Sequence, residues 1–310
     1  MTTKIDSALS AIGNTPLVRL QNIVPEQCAD IYVKLEYLNP TGSFKDRMAQ
    51  AIIEEAEYRG TLRPGMTVVE CTAGSTGTAL AFVCAVKKYR FQVISSDAFA
   101  KEKLQSMRAL GAEIQIVPSE GGRITPDLIP RMIGLASELG QKPENYWTRQ
   151  FENRDAIKGY RKMGQEILKQ FPSSVDVFVA AVGTAGMLIG VSLELKQANN
   201  RTHVVALEPA ESPMLTQAFK GSHSIDGVGV GFIPPMLSAE HYDEVRAISE
   251  VRARETARLL AAREGIFAGT STGLNVAAAI EIGQRLGSGH TIVTVACDSG
   301  MKYLAGNLFG

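Results

Sequence analysis

The chain of 310 residues has no surplus charge: 32 Lys and Arg are matched by 32 Asp and Glu. A balanced surface offers no electrostatic footprint for nucleic acid or an anionic membrane. Long apolar runs are missing as well. None approaches the roughly 20 residues needed to cross a bilayer, so no membrane contact is expected. The amino-terminal stretch MTTKIDSALSAIGNTPL has neither a basic n-region nor a long apolar h-region, and no secretory signal is expected. Cysteines are few. The four, Cys28, Cys71, Cys84 and Cys297, show no Cys-x-x-Cys spacing, which suits reduced thiols in a cytoplasmic protein. The four histidines include no i, i+4 pair, so no metal site is expected. Internal repeats and low-complexity segments are absent too. The expectation is a soluble cytoplasmic globule, long enough for one large or two moderate cores.

What the chain does contain is a regular alternation. IYVKLE (31–36) precedes a helical stretch from Asp46 to Arg59, with Ala49, Ile52, Ile53 and Ala56 on one face. MTVVEC (66–71) precedes TALAFVCAVKK (78–88), FQVIS (91–95) precedes KEKLQSMRALG, and EIQIV (113–117) precedes a helix from Pro126 to Leu139. A second series runs from VDVFVAAV (175–182) through a helix near Met187, HVVALE (203–208), an Arg-studded helix over 251–264, a helix after Gly273 and TIVTVA (291–296). Near-continuous apolar strands alternating with helices indicate parallel sheets covered on both faces. The fold class is therefore α/β, with two doubly wound domains and mainly parallel sheets. The seam is expected around 140–155, where the sequence turns polar and irregular, dividing the chain into domains 1–150 and 151–310.

Ligands in such folds sit beyond the carboxyl ends of the strands. Four turns there stand out. In TGSFKD, Ser43 and Asp46 resemble a capping box, and Lys45 lies inside the first helical turn. The unpaired amides there disfavour a cation and favour a neutral, nucleophilic amine. Taken alone, the same turn also describes a solvated lysine beside a good cap. CTAGSTGTAL (71–80) gathers hydroxyls and backbone N–H groups at one helix mouth, which suits a carboxylate. VGTAGMLIG (182–190) opens an apolar helix with Gly183, Thr184, Ala185 and Gly186. It lacks both the Gly-Lys-Ser/Thr of a P-loop and the full G-x-G-x-x-G spacing. A phosphate without a nucleotide fits it, and so does simple tight packing of helix on sheet. FAGTSTGLNVAAA (267–279) again places hydroxyls at a helix mouth. An amine, a carboxylate cradle, a phosphate cup and neutral hydroxyls together form the inventory that pyridoxal phosphate and an amino acid need.

Over nearly its whole length the chain resembles the cysteine synthase (O-acetylserine sulfhydrylase)-like family of fold-type II pyridoxal-phosphate enzymes, whose fold is tryptophan synthase β-like. The likeness rests, in order, on GNTPLVRL (13–20), VKLEYLNPTGSFKDR (33–47), TAGSTG (72–77), QFEN (150–153), VGTAG (182–186), LEPAESP (207–213), DGVGVGFIP (226–234), EGIFAGTSTG (264–273) and DSGMKYL (298–304). The resemblance implies that Lys45 is the Schiff-base lysine and abstracts the substrate α-proton. It implies that Gly183, Thr184, Ala185, Gly186 and Met187 bind the cofactor phosphate, and that Thr272 meets the pyridine nitrogen. Thr72, Ala73, Gly74, Ser75 and Thr76, with Gln150 at the seam, match the substrate-carboxylate site; Ser75 also falls where the family contacts the cofactor ring. Asp226, Gly227 and Asp298 are further candidates. The first 40 or so residues are expected to cross to the second domain, one domain to fold over the site against water, and the protein to be a homodimer.

Departures from the family pattern fall mainly on the substrate side. Ala73 and Ser75 replace the usual Ser and Asn, Cys71 and Cys297 replace prolines, Asp226 replaces Gln, and 154–167 is altered near the seam. The leading expectation is β-replacement on an O-activated L-serine through an α-aminoacrylate intermediate, forming L-cysteine from O-acetyl-L-serine and sulfide. Open beside it are β-elimination of the cysteine desulfhydrase or serine dehydratase type, and replacement with a nitrogen nucleophile or homocysteine. A catalytically silent binding protein is the alternative from another class, against which Lys45 and the phosphate cup argue.

Overall fold

The computed structural model describes residues 6–121, 125, 127–171 and 174–310. In chain order the elements are β1 (Leu17–Arg19), β2 (Asp30–Leu35), α1 (Lys45–Tyr58), β3 (Thr67–Cys71), α2 (Ser75–Lys87), β4 (Arg90–Ser96), α3 (Lys101–Ala109), β5 (Glu113–Val117), α4 (Leu128–Gly140) and β6 (Asn145–Trp147). They continue with α5 (Asp155–Gln170), β7 (Val177–Ala181), α6 (Gly186–Ala198), β8 (His203–Pro209), α7 (Met214–Gln217), β9 (Glu244–Ile248), α8 (Glu250–Leu259), α9 (Thr270–Leu286) and β10 (Thr291–Ala296). Pro126, the expected start of the fourth helix, lies outside the described residues, as do residues 1–5 of the amino-terminal stretch.

The chain divides into two units. The first comprises Met1–Ile12 and Lys45–Gly159; the second comprises Gly13–Phe44 and Tyr160–Gly310. The change from first to second therefore falls inside α5, and the polar stretch 140–155 contributes β6 to the first unit.

The first unit holds a four-stranded sheet in the order β5-β4-β3-β6, with every pairing parallel. Alternate residues of β3 supply two cores. Val68 packs in a cluster with Ala49, Ile53, Leu80 and Val83, whereas Val69 and Cys71 join Leu128, Met132 and Ala136. Helices α1 and α2 thus cover one face and α4 the other, which explains why the strands are apolar on both sides. Helix α1 forms because Ala49, Ile52, Ile53 and Ala56 make one stripe, all fully buried. Burial of each isoleucine contributes about 1.5–3 kcal/mol.

The second unit holds a six-stranded sheet in the order β1-β2-β10-β7-β8-β9. Only the β1–β2 pairing among these is antiparallel. Strand β7 is buried at all five positions. Helix α8 continues through a π-helical turn at Leu260–Glu264 and lies directly on α9. A Cβ at Gly273 would sit 1.9 Å from the Ala253 carbonyl oxygen, so that glycine is fixed by backbone contact between the two helices. Of the four turns picked out by sequence, 41–44 comes after β2, 72–74 after β3 and 182–185 after β7, each at the carboxyl end of a parallel-paired strand. The fourth, 267–269, instead follows the π-helical turn that ends α8, not a strand.

Candidate active site

In the first unit, β3 ends at Cys71 and the chain turns through Thr72–Gly74 into α2. The residue before the helix, Gly74, brings no side chain to cap it, and a helix mouth of that kind suits an anion. The Thr72 backbone is held on both sides: its amide donates to Ile94 O at 3.0 Å and its carbonyl accepts from Ser95 Oγ at 2.9 Å. Its hydroxyl accepts from the Gly74 amide at 3.1 Å and keeps its own proton for another partner.

Gln150 belongs to the same unit as this loop. A carbonyl can only accept, so the Gln150 atom 2.9 Å from Cys71 O is Nε2. Oε1 then faces Thr76 Oγ1, which donates to it at 2.8 Å. Thr76 has thereby committed its only proton, while Gln150 retains one. The donors left for a carboxylate are the Thr72 hydroxyl, one Gln150 N–H and the mouth of α2. Ala73 is exposed at the loop tip, and Ser75 is half-buried as the first helical residue. Loop and helix are also closely packed: a Cβ at Gly77 would come within 2.6 Å of the Thr72 methyl and 2.3 Å of Met107 Sδ.

One residue here escaped the sequence reading. Glu70, only 1% exposed, accepts from the Cys71 amide at 2.8 Å, the Gln150 amide at 2.9 Å and Thr148 Oγ1 at 2.6 Å. Burial raises its pKa above the usual carboxylate range, while these hydrogen bonds pull the other way. Burial also pushes the Cys71 thiol well up, with Glu70 adding to the effect, so Cys71 is a packed thiol, not a reactive one. All four cysteines are buried, and none forms a disulfide among the described residues.

Lys45 is the first residue of α1 and is 7% exposed; its helical neighbours Asp46 and Arg47 are buried as well. The segment just before it belongs to the second unit and is tied there to the end of β10. Phe44 N donates to Cys297 O at 3.0 Å, Ser299 N donates to Gly42 O at 3.0 Å, and Ser43 bridges to Asp298.

In the second unit, α6 opens behind Gly183-Thr184-Ala185. Ala185 takes the left-handed conformation (φ 68°) and leaves the helix without a side-chain cap, a combination that suits an anion at the helix mouth. Thr184, Gly186 and Met187 are buried around it. Gly183 admits no side chain, because a Cβ there would lie 2.1 Å from Gly227 O. Gly227 is itself left-handed (φ 78°), and Gly229 N donates to Val182 O at 3.1 Å, so the 226–229 loop rests on the cup. At the mouth of α9, Thr272 is fully buried, and its hydroxyl accepts from Cys297 N at 2.9 Å. Thr270 Oγ1 is buried without a hydrogen-bond partner among the described residues. Asp298 accepts from Tyr303 Oη at 2.9 Å. Burial raises the Tyr303 pKa well above the usual value, and the charges of Asp298 and of the exposed Asp226 raise it further.

These features fit pyridoxal phosphate. The cup at Gly183 is closed to side chains and lined with uncapped amides, which suits a phosphate. The Thr272 hydroxyl still has a proton to offer, which suits a neutral ring nitrogen. Among the described residues no group of three His, Cys, Asp or Glu is arranged for a metal ion, and no helix is long and apolar enough to cross a membrane.

Known proteins agree with that fit. The family model described as "Pyridoxal-phosphate dependent enzyme" matches residues 8–298. Cysteine synthase of Staphylococcus aureus strain Mu50 is 40% identical over 307 residues, covering 98% of this chain and 97% of that protein. O-ureido-L-serine synthase of Streptomyces lavendulae is also 40% identical, over 306 residues, covering 98% of this chain and 92% of that protein. The crystal structure of the O-acetylserine-dependent cystathionine β-synthase of Helicobacter pylori superposes with a TM-score of 0.92 at 33% identity, covering 100% of both chains. The chain therefore belongs to the pyridoxal-phosphate-dependent enzymes, within the cysteine-synthase-like group of fold type II.

Proposed function

We propose that this enzyme catalyses β-replacement on an O-activated L-serine, with O-acetyl-L-serine as donor and sulfide as acceptor, giving L-cysteine and acetate. The observation that carries the reading is the Thr72–Thr76–Gln150 network. These bonds leave the Thr72 hydroxyl proton and one Gln150 N–H unused beside a helix mouth, which supports a cradle for an amino-acid carboxylate.

Lys45 would hold the cofactor and, once released from it, move the α-proton of the substrate. Gly183, Thr184, Ala185, Gly186 and Met187 would hold its phosphate, and Thr272 its ring nitrogen, with Ser75 against the ring. When bound, the cofactor supplies the electron sink that labilises the bonds at the substrate α-carbon. Thr272 would temper that sink, because a hydroxyl would offer a hydrogen bond without fixing a positive charge on the ring. Thr72, Ala73, Gly74, Ser75, Thr76 and Gln150 would orient the amino acid. Gly227 would complete the roof of the cup, and Asp298 would hold Tyr303.

A second reading is favoured by one feature. Asp226 and Asp298 both act electrostatically on Tyr303. Asp298 follows β10 and Asp226 opens the loop on the cup, and two carboxylates so placed would favour a neutral or cationic nucleophile, a nitrogen compound for example, over hydrosulfide. The Staphylococcus and Streptomyces relatives, whose names imply different products, are both 40% identical to this chain, so identity alone does not choose between them. Initial rates with O-acetyl-L-serine and a panel of sulfide, homocysteine and amine nucleophiles test both readings. Sulfide with the highest kcat/KM supports cysteine formation, whereas an amine in first place supports the second reading. Pyruvate and ammonia outpacing every adduct at saturating nucleophile contradicts replacement.

A further inference from the structure

Glu70 is the one charged residue of β3, buried one residue before the chain leaves that strand for the 72–74 loop. Its two oxygens receive three donors from two separate segments: Oε1 takes the Cys71 amide, and Oε2 takes the Thr148 hydroxyl and the Gln150 amide. The Oε2 pair flanks Arg149, which is left-handed with φ 49°, an uncommon conformation for a residue other than glycine. Such a conformation persists where the surroundings over-determine it. The carboxylate is placed to do this, because it grips the chain on either side of Arg149.

The consequence reaches the Gln150 side chain. Its backbone is held by Glu70, and its amide is held by Cys71 O and by Thr76. Cys71 is gripped at its amide by Glu70 and at its carbonyl by Gln150, so the three residues close a ring. A carboxylate suits this position because all three incoming groups donate. A glutamine there would present N–H to one set of N–H donors, and an apolar residue would leave two buried amides without an acceptor.

We infer that Glu70 is a positioning residue for amino-acid binding: it holds the strained turn at Arg149 and so aims the Gln150 amide at the substrate carboxylate. The inference rests on the carboxylate site proposed above. It adds a residue that touches neither substrate nor cofactor and acts through Gln150.

The test uses the holoenzyme, with O-acetyl-L-serine for steady-state kinetics and L-alanine, which has no β-leaving group, for equilibrium binding. Glu70→Gln is expected to raise the O-acetyl-L-serine KM and the L-alanine Kd about tenfold, with kcat and cofactor occupancy changed less than about twofold. Adding Arg149→Gly, which relieves the left-handed strain, is expected to restore at least half of the lost affinity on a logarithmic scale. A merely structural role would not produce that rescue. Unchanged KM and Kd in Glu70→Gln, or no rescue by Arg149→Gly, overturns the inference. If Glu70→Gln is insoluble, Thr148→Val removes one of the three donors, and KM is then expected to rise about threefold; an unchanged KM overturns it. The two proposals fail separately. A wild-type enzyme that binds L-alanine but does not turn over O-acetyl-L-serine contradicts the donor, and the Kd comparison still decides the role of Glu70. A wild-type holoenzyme that binds neither contradicts both.

Discussion

Phe44, the residue immediately before Lys45, donates its amide proton to the carbonyl of Cys297 at 3.0 Å. The amide of Cys297 in turn donates to Thr272 Oγ1 at 2.9 Å. One residue at the end of β10 thus fixes both the segment that leads into the lysine and the hydroxyl assigned to the cofactor ring. The chain reaches a buried lysine at a helix start along an anchored path, and the Thr272 hydroxyl is oriented because one lone pair is already occupied.

That arrangement makes Thr272 sensitive to a change as small as an oxygen replaced by a methyl. Thr272→Val leaves the buried Cys297 amide without its acceptor, at a cost of about 1–3 kcal/mol in stability, and removes the donor proposed for the ring nitrogen. Thr272→Ser keeps both functions. Urea denaturation and cofactor titration should show Thr272→Val less stable and weaker in cofactor binding, with Thr272→Ser close to wild type. Equal behaviour of the Val and Ser variants contradicts the role of the hydroxyl.

The cup at Gly183, proposed to hold the phosphate, should be intolerant of a single methyl. In Gly183→Ala the new Cβ meets a backbone oxygen, Gly227 O, at 2.1 Å, and a backbone atom cannot swing aside as a side chain can. The cup must shift, and cofactor affinity should fall about tenfold or more. Gly134→Ala on α4 is the matched control. Nothing lies within 4 Å of its Cβ, so it should gain up to about 1 kcal/mol of helix propensity without altering cofactor binding. Wild-type affinity in Gly183→Ala contradicts the placement of the phosphate.

Much of this architecture is visible in the residues themselves, and the exceptions have physical causes. Strands β7 and β10 declare themselves as apolar runs because both faces are covered. Strand β9 does not, since EVRAI lies at the sheet edge with four of its five residues outside the buried class. Strand β6 is three half-buried residues within a polar stretch that suggests an irregular seam. Helix α5 hides its core face, Tyr160, Met163 and Ile167, among lysines and arginines. In the site, the helix-mouth turns are legible because glycines and hydroxyls cluster locally. Glu70 is not, because Thr148 and Gln150 lie 78 and 80 residues away and no short-range pattern links them.

The buried thiols give a prediction at alkaline pH. Burial, with help from Glu57, raises the Cys84 pKa from 9.0 to about 12 in the folded protein. The unfolded chain therefore loses that proton first. Stability supplied by the neutral thiol is complete below pH 9 and is lost as pH rises toward about 12. Denaturation curves should show stability falling across this window, with a shallower fall in Cys84→Ala. At pH 8 the native protein should leave Cys84 unlabelled by a thiol reagent that labels the unfolded chain. Rapid labelling of native Cys84 contradicts the burial argument.

The central claim is that Lys45 holds the cofactor. Borohydride reduction of the holoprotein followed by peptide mapping tests it most directly, because it fixes the cofactor to whichever amine carries it. The account predicts one pyridoxyl label, on the peptide containing Lys45, and none in Lys45→Ala. A label on another lysine, or a holoprotein that reduction leaves unlabelled, would contradict it.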